Sequence, residues 1–184
     1  MLIARAPTRL SFFGGGTDLS AYYLRHGGAV LSTSINRYVY VTLNVTEGRA
    51  LQITSSDYGT FYRRPPGEAL VWDGDLSLPR AVLHNFGVED NLAIFISSEI
   101  PPGTGLGSSS SVTVALCKAI SAASGRRLGK EELARLACQI EIGKLGKPIG
   151  VQDQYASAYG GLNWMTFGPD GVTVEPVRLA TQTL

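Results

Sequence analysis

Pro101-Pro102-Gly103-Thr104-Gly105-Leu106-Gly107-Ser108-Ser109-Ser110-Ser111 is the stretch on which the reading of this chain turns. An apolar run, Leu92 to Ile96, leads into it and reads as a strand. The two prolines end that strand, because proline has no N–H to give to a ladder. Three glycines in five residues follow, a spacing that lets the backbone take angles closed to other residues and lets a ligand approach the main chain. The four serines then stand at the N-cap and first turn of a helix. Val112 to Ala123 continues that helix, with Val112, Ala115, Leu116, Ala119 and Ile120 on one apolar stripe. A lone Gly-x-Gly would be read as a turn that caps a helix. Four consecutive hydroxyls, where one cap would do, point instead to an anion site, with free N–H groups and the positive end of the helix dipole aimed at the bound group.

The stretch is neither of the two common phosphate loops. No lysine follows the last glycine, as the GxxxxGK[ST] loop requires. The dinucleotide fingerprint GxGxxG does not match, and no acidic residue follows at the required distance. The stretch does resemble the signature loop of the GHMP kinases, Pro-x-x-x-Gly-Leu-Gly-Ser-Ser followed by small residues. The resemblance implies that Pro102, Gly103, Thr104, Gly105, Leu106, Gly107, Ser108, Ser109 and Ser110 wrap the phosphates of ATP. It also implies an α+β fold of the ribosomal protein S5 domain 2-like type, the N-terminal half of such a kinase, and ATP with Mg²⁺ as cofactors.

Two further stretches agree with that loop. Gly14-Gly15-Gly16-Thr17-Asp18 follows a strand and marks a tight turn where the backbone meets something closely. Thr17, Asp18 or Ser20 can cap a short helix from Leu19 to Arg25, and Asp18 reads equally well as that cap or as a carboxylate accepting hydrogen bonds from a polyol. The resemblance implies that Gly15, Gly16, Thr17 and Asp18 line the substrate pocket. The lead-in Ala6-Pro7-Thr8-Arg9-Leu10-Ser11-Phe12 is most similar to the heptose-phosphate kinases of the family. Arg9 stands where relatives carry a cation beside the catalytic carboxylate. Downstream, Val151-Gln152-Asp153-Gln154 opens a short helix in which Asp153 is a cap or first-turn residue. The resemblance makes Asp153 the catalytic base, and gives Gln152 and Gly160, with Gln154 and Gly161, a part in shaping the sugar pocket.

Between loop and base, Lys130 opens a helix to about Ile142 with Leu133, Leu136, Ala137 and Ile140 as its core stripe. Glu141 lies next to that stripe near the helix C-terminus, where a carboxylate opposes the dipole and calls for a partner. The resemblance implies a magnesium ligand here, with Ser109, or alternatively Ser108, as the second protein oxygen. A hard cation that keeps its waters needs no more.

The remaining pattern fills in an α+β chain. Leu2 to Ala6 and Leu10 to Phe13 read as short strands around a Pro7 turn, and Ala29 to Ser34 and Tyr38 to Val45 as two longer ones. Val39, Val41 and Leu43 alternate with polar or aromatic partners, a half-buried pattern. Ala50 to Thr54 is a strand, Asp57 to Trp72 a loop or ragged hairpin with a solvated Arg63-Arg64 pair, and Leu76 to Phe86 a helix carrying a surface His84. Leu162 to Phe167 and Val172 to Val177 form a hairpin around Gly168-Pro169-Asp170-Gly171.

Composition bounds the class. A chain of 184 residues suffices for one domain with a sizeable core, and a net charge of +1 offers nothing to nucleic acid or an anionic membrane. No apolar run is long enough to span a bilayer, and the first residues lack a signal-peptide core. Cys117 and Cys138 fall on apolar-patterned helices, which fits reduced thiols in a cytoplasmic protein. The expected partner is a sugar or sugar phosphate, D-glycero-D-manno-heptose 7-phosphate first, with a fucose- or galactose-type sugar or a nucleotide-binding module without turnover as the alternatives. The family carries a second domain with a third glycine-rich motif. Val177 to Leu184 read as a cut, so residues 1–184 are expected to be a truncated N-terminal domain, prone to self-association through uncovered apolar surface.

Overall fold

The computed structural model describes residues 1–48, 50–65, 67–88 and 90–179. The segment closing the chain, from which truncation was read, lies largely outside the described residues. In chain order the elements are β1 (Leu2–Phe13), α1 (Ser20–His26), β2 (Gly28–Val45), β3 (Leu51–Ser55), β4 (Thr60–Arg64), α2 (Ser77–Asn85), β5 (Leu92–Ser98), α3 (Ser108–Ala123), α4 (Lys130–Cys138), α5 (Gln152–Tyr159), β6 (Leu162–Gly168) and β7 (Gly171–Pro176). A π-helical segment, Gln139–Lys144, continues directly from α4. The fold is α+β, as expected.

The seven strands make one sheet in the order β4-β3-β5-β2-β6-β7, with β1 paired to β2. Among the described residues only β3 and β5 run parallel. Strand β2 is the spine: its first residues pair with β6, its last with β5, and β1 runs along nearly all of it. Alternation drives this arrangement. Val39, Val41 and Leu43 of β2, Leu51 and Ile53 of β3, and Leu92, Ile94 and Ile96 of β5 all point into the core. On that face lie α2, α3, α4 and the π-helical segment, supplying Leu83, Leu116, Ile120, Leu133 and Ile140 among others. A second, smaller cluster joins Val30, Met165 and Phe167 of the sheet to Ala134, Tyr155 and Ala156.

Two expected breaks are absent. Strand β1 passes through Pro7, which pairs with Tyr38, and the ladder shifts register between Pro7 and Arg9. Proline is tolerated at such an irregularity because no ladder donor is needed there. Strand β2 likewise runs unbroken through Asn36 and Arg37, two exposed polar residues that look like a loop in the sequence. Within the polar stretch after Asp57, β4 pairs fully with β3. Arg64 is not solvated but 2% exposed, with Nη2 2.7 Å from Asp90 Oδ1 and Nη1 donating to the Glu68 carbonyl. His84 is exposed, edge-on to Trp72 and 2.6 Å from Lys144 Nζ.

Helix α3 begins at Ser108, so all four serines lie within it and Gly107 is the N-cap. Ser110 and Ser111 are therefore buried. The Ser111 hydroxyl stands 2.9 Å from the Pro7 carbonyl, 3.1 Å from the Gly107 carbonyl and 2.8 Å from Ser157 Oγ, while Ser157 Oγ also donates to the Pro7 carbonyl. These two hydroxyls stitch β1, α3 and α5 together at the point where the loop meets the sheet. Ser111→Ala is expected to cost about 1–2 kcal/mol in urea unfolding at an unchanged m-value, the cost of a buried hydroxyl whose partners cannot all be satisfied elsewhere. An unchanged midpoint would show that the stitch is dispensable.

Candidate active site

The stretch from Pro101 to Gly105 is exposed, and Gly103, Gly105 and Gly107 all have left-handed φ angles near +75 to +80° (81, 73 and 76°). Alternate left-handed residues curl the chain, and the curl is fixed at its base. The Arg9 backbone N–H donates to the Leu106 carbonyl at 3.1 Å, and Arg9 Nη1 donates to the Gly105 carbonyl at 2.6 Å. The same guanidinium holds Asp153, with Nε 2.7 Å and Nη2 2.6 Å from Oδ1. A Cβ added at Gly107 would stand 3.3 Å from the Asp153 carboxylate and 3.4 Å from Arg9 Cγ. The aspartate thus lies beside the glycine loop, at a point where a side chain on Gly107 would crowd it. Its carboxyl is pushed above the ordinary aspartate range chiefly by burial; Arg9 opposes the shift, and the Asp18 and Glu141 charges add to it.

Asp153 lies in the first turn of α5, and its two neighbours reach in different directions. Gln152 donates from its backbone N–H to Asp18 Oδ2 (3.1 Å) and from Nε2 to Asp18 Oδ1 (3.2 Å), and accepts from Ser11 Oγ. Gln154 is fully buried and donates from Nε2 to Glu141 Oε1 at 3.2 Å. Glu141, in the π-helical segment, has no exposed surface. Its Oε2 accepts from Ser109 Oγ at 3.2 Å and from Lys147 Nζ at 3.1 Å, and Lys147 Nζ also donates to Ser109 Oγ at 2.7 Å. Burial and the Glu141 charge together push the Cys117 thiol upward, so this helix cysteine stays a neutral core group. Beside Ser109 and Lys147 opens a cavity of about 270 Å³ with an apolar wall of Leu76, Leu78, Ile96 and Val112.

Comparison with known proteins fits this geometry. The family described as GHMP kinases N terminal domain matches residues 77–161. A D-glycero-alpha-D-manno-heptose 7-phosphate kinase of Campylobacter jejuni is 35% identical over 182 residues, 95% of this chain and 53% of its own. The chain carries a GHMP kinase N-terminal domain. A solved structure of a D-glycero-D-manno-heptose 1-phosphate kinase from Bacteroides thetaiotaomicron superposes with a TM-score of 0.91 at 34% identity, covering 98% of this chain and 61% of that one. A galactokinase of Thermotoga petrophila is 30% identical over 189 residues, 95% of this chain and 49% of its own. The chain spans about half the length of the curated relatives it matches.

Within this GHMP kinase domain the residues singled out in the sequence fall into three groups. Arg9, the loop from Pro102 to Gly107, Ser108, Ser109, Glu141, Gln152 and Asp153 meet around one end of α3 and α5. Gly15 and Gly16 are exposed in the turn before α1, and a Cβ at Gly15 would lie 3.8 Å from Gln152 Nε2. Others turn inward. Asp18 is 2% exposed, its carboxylate taken up by the Gly16 N–H (3.0 Å) and Gln152, so it clamps the glycine turn to α5 and does not cap α1. Thr17 Oγ1 bonds the Gly14 carbonyl and the Ala29 backbone, anchoring the same turn to β2. The Ser110 side chain is buried in the first turn of α3. Gly160 caps the far end of α5, roughly 10 Å along the axis from Asp153, and its carbonyl accepts from Asn163. Gln154 faces Glu141 and not a sugar pocket. Lys147 is a site residue the motifs do not point to; its signal in the sequence is weak, one of two lysines in a glycine-rich segment, six positions after the glutamate.

Gly150 shows how tightly the Asp18 clamp is drawn: an added Cβ would lie 1.9 Å from Asp18 Oδ2 and 2.3 Å from its Cγ. Gly150→Ala is expected to cost about 2 kcal/mol or more, and much less in an Asp18→Ala background where the obstructing carboxylate is gone. Denaturant unfolding of the four proteins of this cycle measures the coupling; strictly additive costs would contradict the clamp.

Proposed function

We propose that the protein containing this domain transfers the γ-phosphate of ATP to a hydroxyl of a sugar phosphate, with D-glycero-D-manno-heptose 7-phosphate as substrate. The observation that carries the reading is that Arg9 joins Asp153 to the glycine loop, bonding its carboxylate and the Gly105 carbonyl with one guanidinium. A carboxylate with a raised proton affinity beside a loop of left-handed glycines that opens a helix N-terminus suits hydroxyl-to-phosphate transfer. The heptose assignment rests on two relatives, one a heptose 7-phosphate kinase and one a heptose 1-phosphate kinase. The galactokinase at comparable coverage supports a galactose- or fucose-type sugar as the second reading.

In this reading the loop amides and the N-terminus of α3 bind the β- and γ-phosphates, and the apolar-walled cavity beside Ser109 receives the nucleoside. Arg9 neutralises charge where acceptor and phosphoryl group meet, and at the same time keeps Asp153 ionised. Asp153 accepts the hydroxyl proton as the bond to phosphorus forms. Gln152 and the exposed glycines 15 and 16 border the acceptor side.

Ser109 and Glu141 fit a magnesium ion. Their oxygens stand 3.2 Å apart, and neighbouring ligands of an octahedron with bonds of about 2.1 Å stand about 3.0 Å apart. They already share a cation, the Lys147 ammonium. Among the described residues no group of three or more His, Cys, Asp or Glu side chains gathers, which suits a metal held by two protein oxygens, water and phosphate. When bound, the ion would offset phosphate charge.

Asp153→Asn is expected to lower kcat by about 10²–10⁴-fold while nucleotide binding persists, measured by coupled ADP release over a sugar panel and by equilibrium binding. Turnover at the wild-type rate would remove Asp153 from the base role. No turnover on any sugar, with nucleotide still bound, would leave a binding module. Glu141→Ala is expected to raise the magnesium concentration needed for half-maximal rate.

The base must be ionised to act, so the acid limb of kcat/KM should fall above the usual aspartate range. Arg9→Met removes the charge that opposes the shift and should carry the limb to still higher pH. A limb that stays put in this variant would show that another group controls it.

A further inference from the structure

The Lys147 ammonium lies within hydrogen-bond distance of both oxygens to which the preceding reading assigns the metal, 2.7 Å from Ser109 Oγ and 3.1 Å from Glu141 Oε2. Glu141 has no exposed surface, and its other oxygen is occupied by a neutral donor, Gln154 Nε2. Removing the cation from a buried ion pair is strongly destabilising, so this glutamate, unlike the amide-held Asp18, calls for a positive partner whether or not nucleotide is present. Lys147 is the residue that supplies it here. A divalent ion bonded to the same two oxygens would be repelled by the ammonium and would compete with it for the Ser109 lone pair and for Glu141 Oε2.

Lys147 is also built to leave. Its side chain is 30% exposed while that of its partner is at 0%. It sits in the segment after the π-helical turn, with Gly146 and Gly150 nearby, and it lines the cavity beside Ser109. A four-carbon stem with rotatable bonds can carry the ammonium from the glutamate into that cavity without moving the backbone.

We propose that Lys147 is an exchangeable counter-ion: it neutralises Glu141 in the nucleotide-free protein, is displaced when the divalent cation binds Ser109 and Glu141, and then pairs with the nucleotide's phosphates in the cavity. The inference rests on the metal assignment above but makes a separate demand. Free magnesium alone should not bind the wild-type protein appreciably, because it must evict a cation; the metal enters with the nucleotide, whose negative charge takes up the released ammonium.

The test uses thermal melts of the intact protein without nucleotide, in EDTA and in millimolar MgCl₂ with ionic strength matched by KCl. Wild type should melt at the same temperature in both. Lys147→Met should melt lower in EDTA, by about 5 °C or more, and recover most of the loss in MgCl₂. A double variant, Glu141→Gln with Lys147→Met, has no buried charge to neutralise, so it should melt above the single variant in EDTA and ignore MgCl₂. A Lys147→Met protein that melts like wild type in EDTA, or recovers equally in KCl alone, overturns the exchange. So does one that stays unfolded in MgCl₂ while the double variant folds, since magnesium then cannot take the lysine's place. Failure here with sugar phosphorylation intact would sink the counter-ion role and leave the kinase reading standing. The expected melts with no phosphorylation of any sugar would do the reverse.

Discussion

Everything at this site depends on one guanidinium. Arg9 makes two contacts with a single oxygen of Asp153 and a third with the carbonyl of Gly105. It comes from β1, whose register shift after Pro7 re-aims the strand at that point. Without it the glycine loop would be tethered to the sheet only by backbone bonds, and Asp153 would be a half-buried carboxylate beside two others. Its fork geometry matters as much as its charge, because a point-charge ammonium cannot hold a carboxylate and a carbonyl at fixed angles.

The second constraint is that three carboxylates converge on α5 while sharing few cations. Asp18, Asp153 and Glu141 are each addressed by the first turn of that helix: Gln152 holds the first, the helix itself carries the second, and Gln154 donates to the third. Neutral amides satisfy lone pairs without adding charge, so each acid keeps its own electrostatic setting. Asp153 gets Arg9, Glu141 gets Lys147, and Asp18 gets only dipoles.

The motifs were legible because their chemistry is local. Three glycines that must be left-handed, a serine run at a helix start and an aspartate between two glutamines can be read without knowing the fold, and the structure brings them together. What was not legible depends on the third dimension. Asn36 and Arg37 look like a loop, yet β2 continues past them because β1 pairs with it on either side, at Ser34 and Tyr38, and Thr8 Oγ1 donates to the Arg37 carbonyl. Arg64 looks solvated beside Arg63, yet its partner Asp90 comes from across the sheet. Ser110 and Ser111 look like phosphate ligands, but a start of α3 at Ser108 rotates them into the core. Asp18 offered two readings, helix cap and sugar ligand; it does not cap α1, and its carboxylate accepts from a backbone turn and from a residue 134 positions away.

Glu141 shows most clearly how local geometry and function interlock. It follows Ile140, and both are fully buried, although consecutive residues on an α-helix point about 100° apart and a helix lying on one core seldom buries both. The chain resolves this by widening at that place: from Gln139 the helix becomes π-type, and Leu145 donates to the Ile140 carbonyl five residues back. Ile140 keeps its place in the main core while Glu141 turns toward α3 and α5, reaching Ser109 and Gln154. A π-turn is poorer in hydrogen-bond geometry than the α-turn it replaces, and a buried carboxylate is costlier still. Two unfavourable choices at adjacent residues, each offset by partners from separate elements, are the mark of a position selected for what its oxygens can hold and not for what it adds to stability.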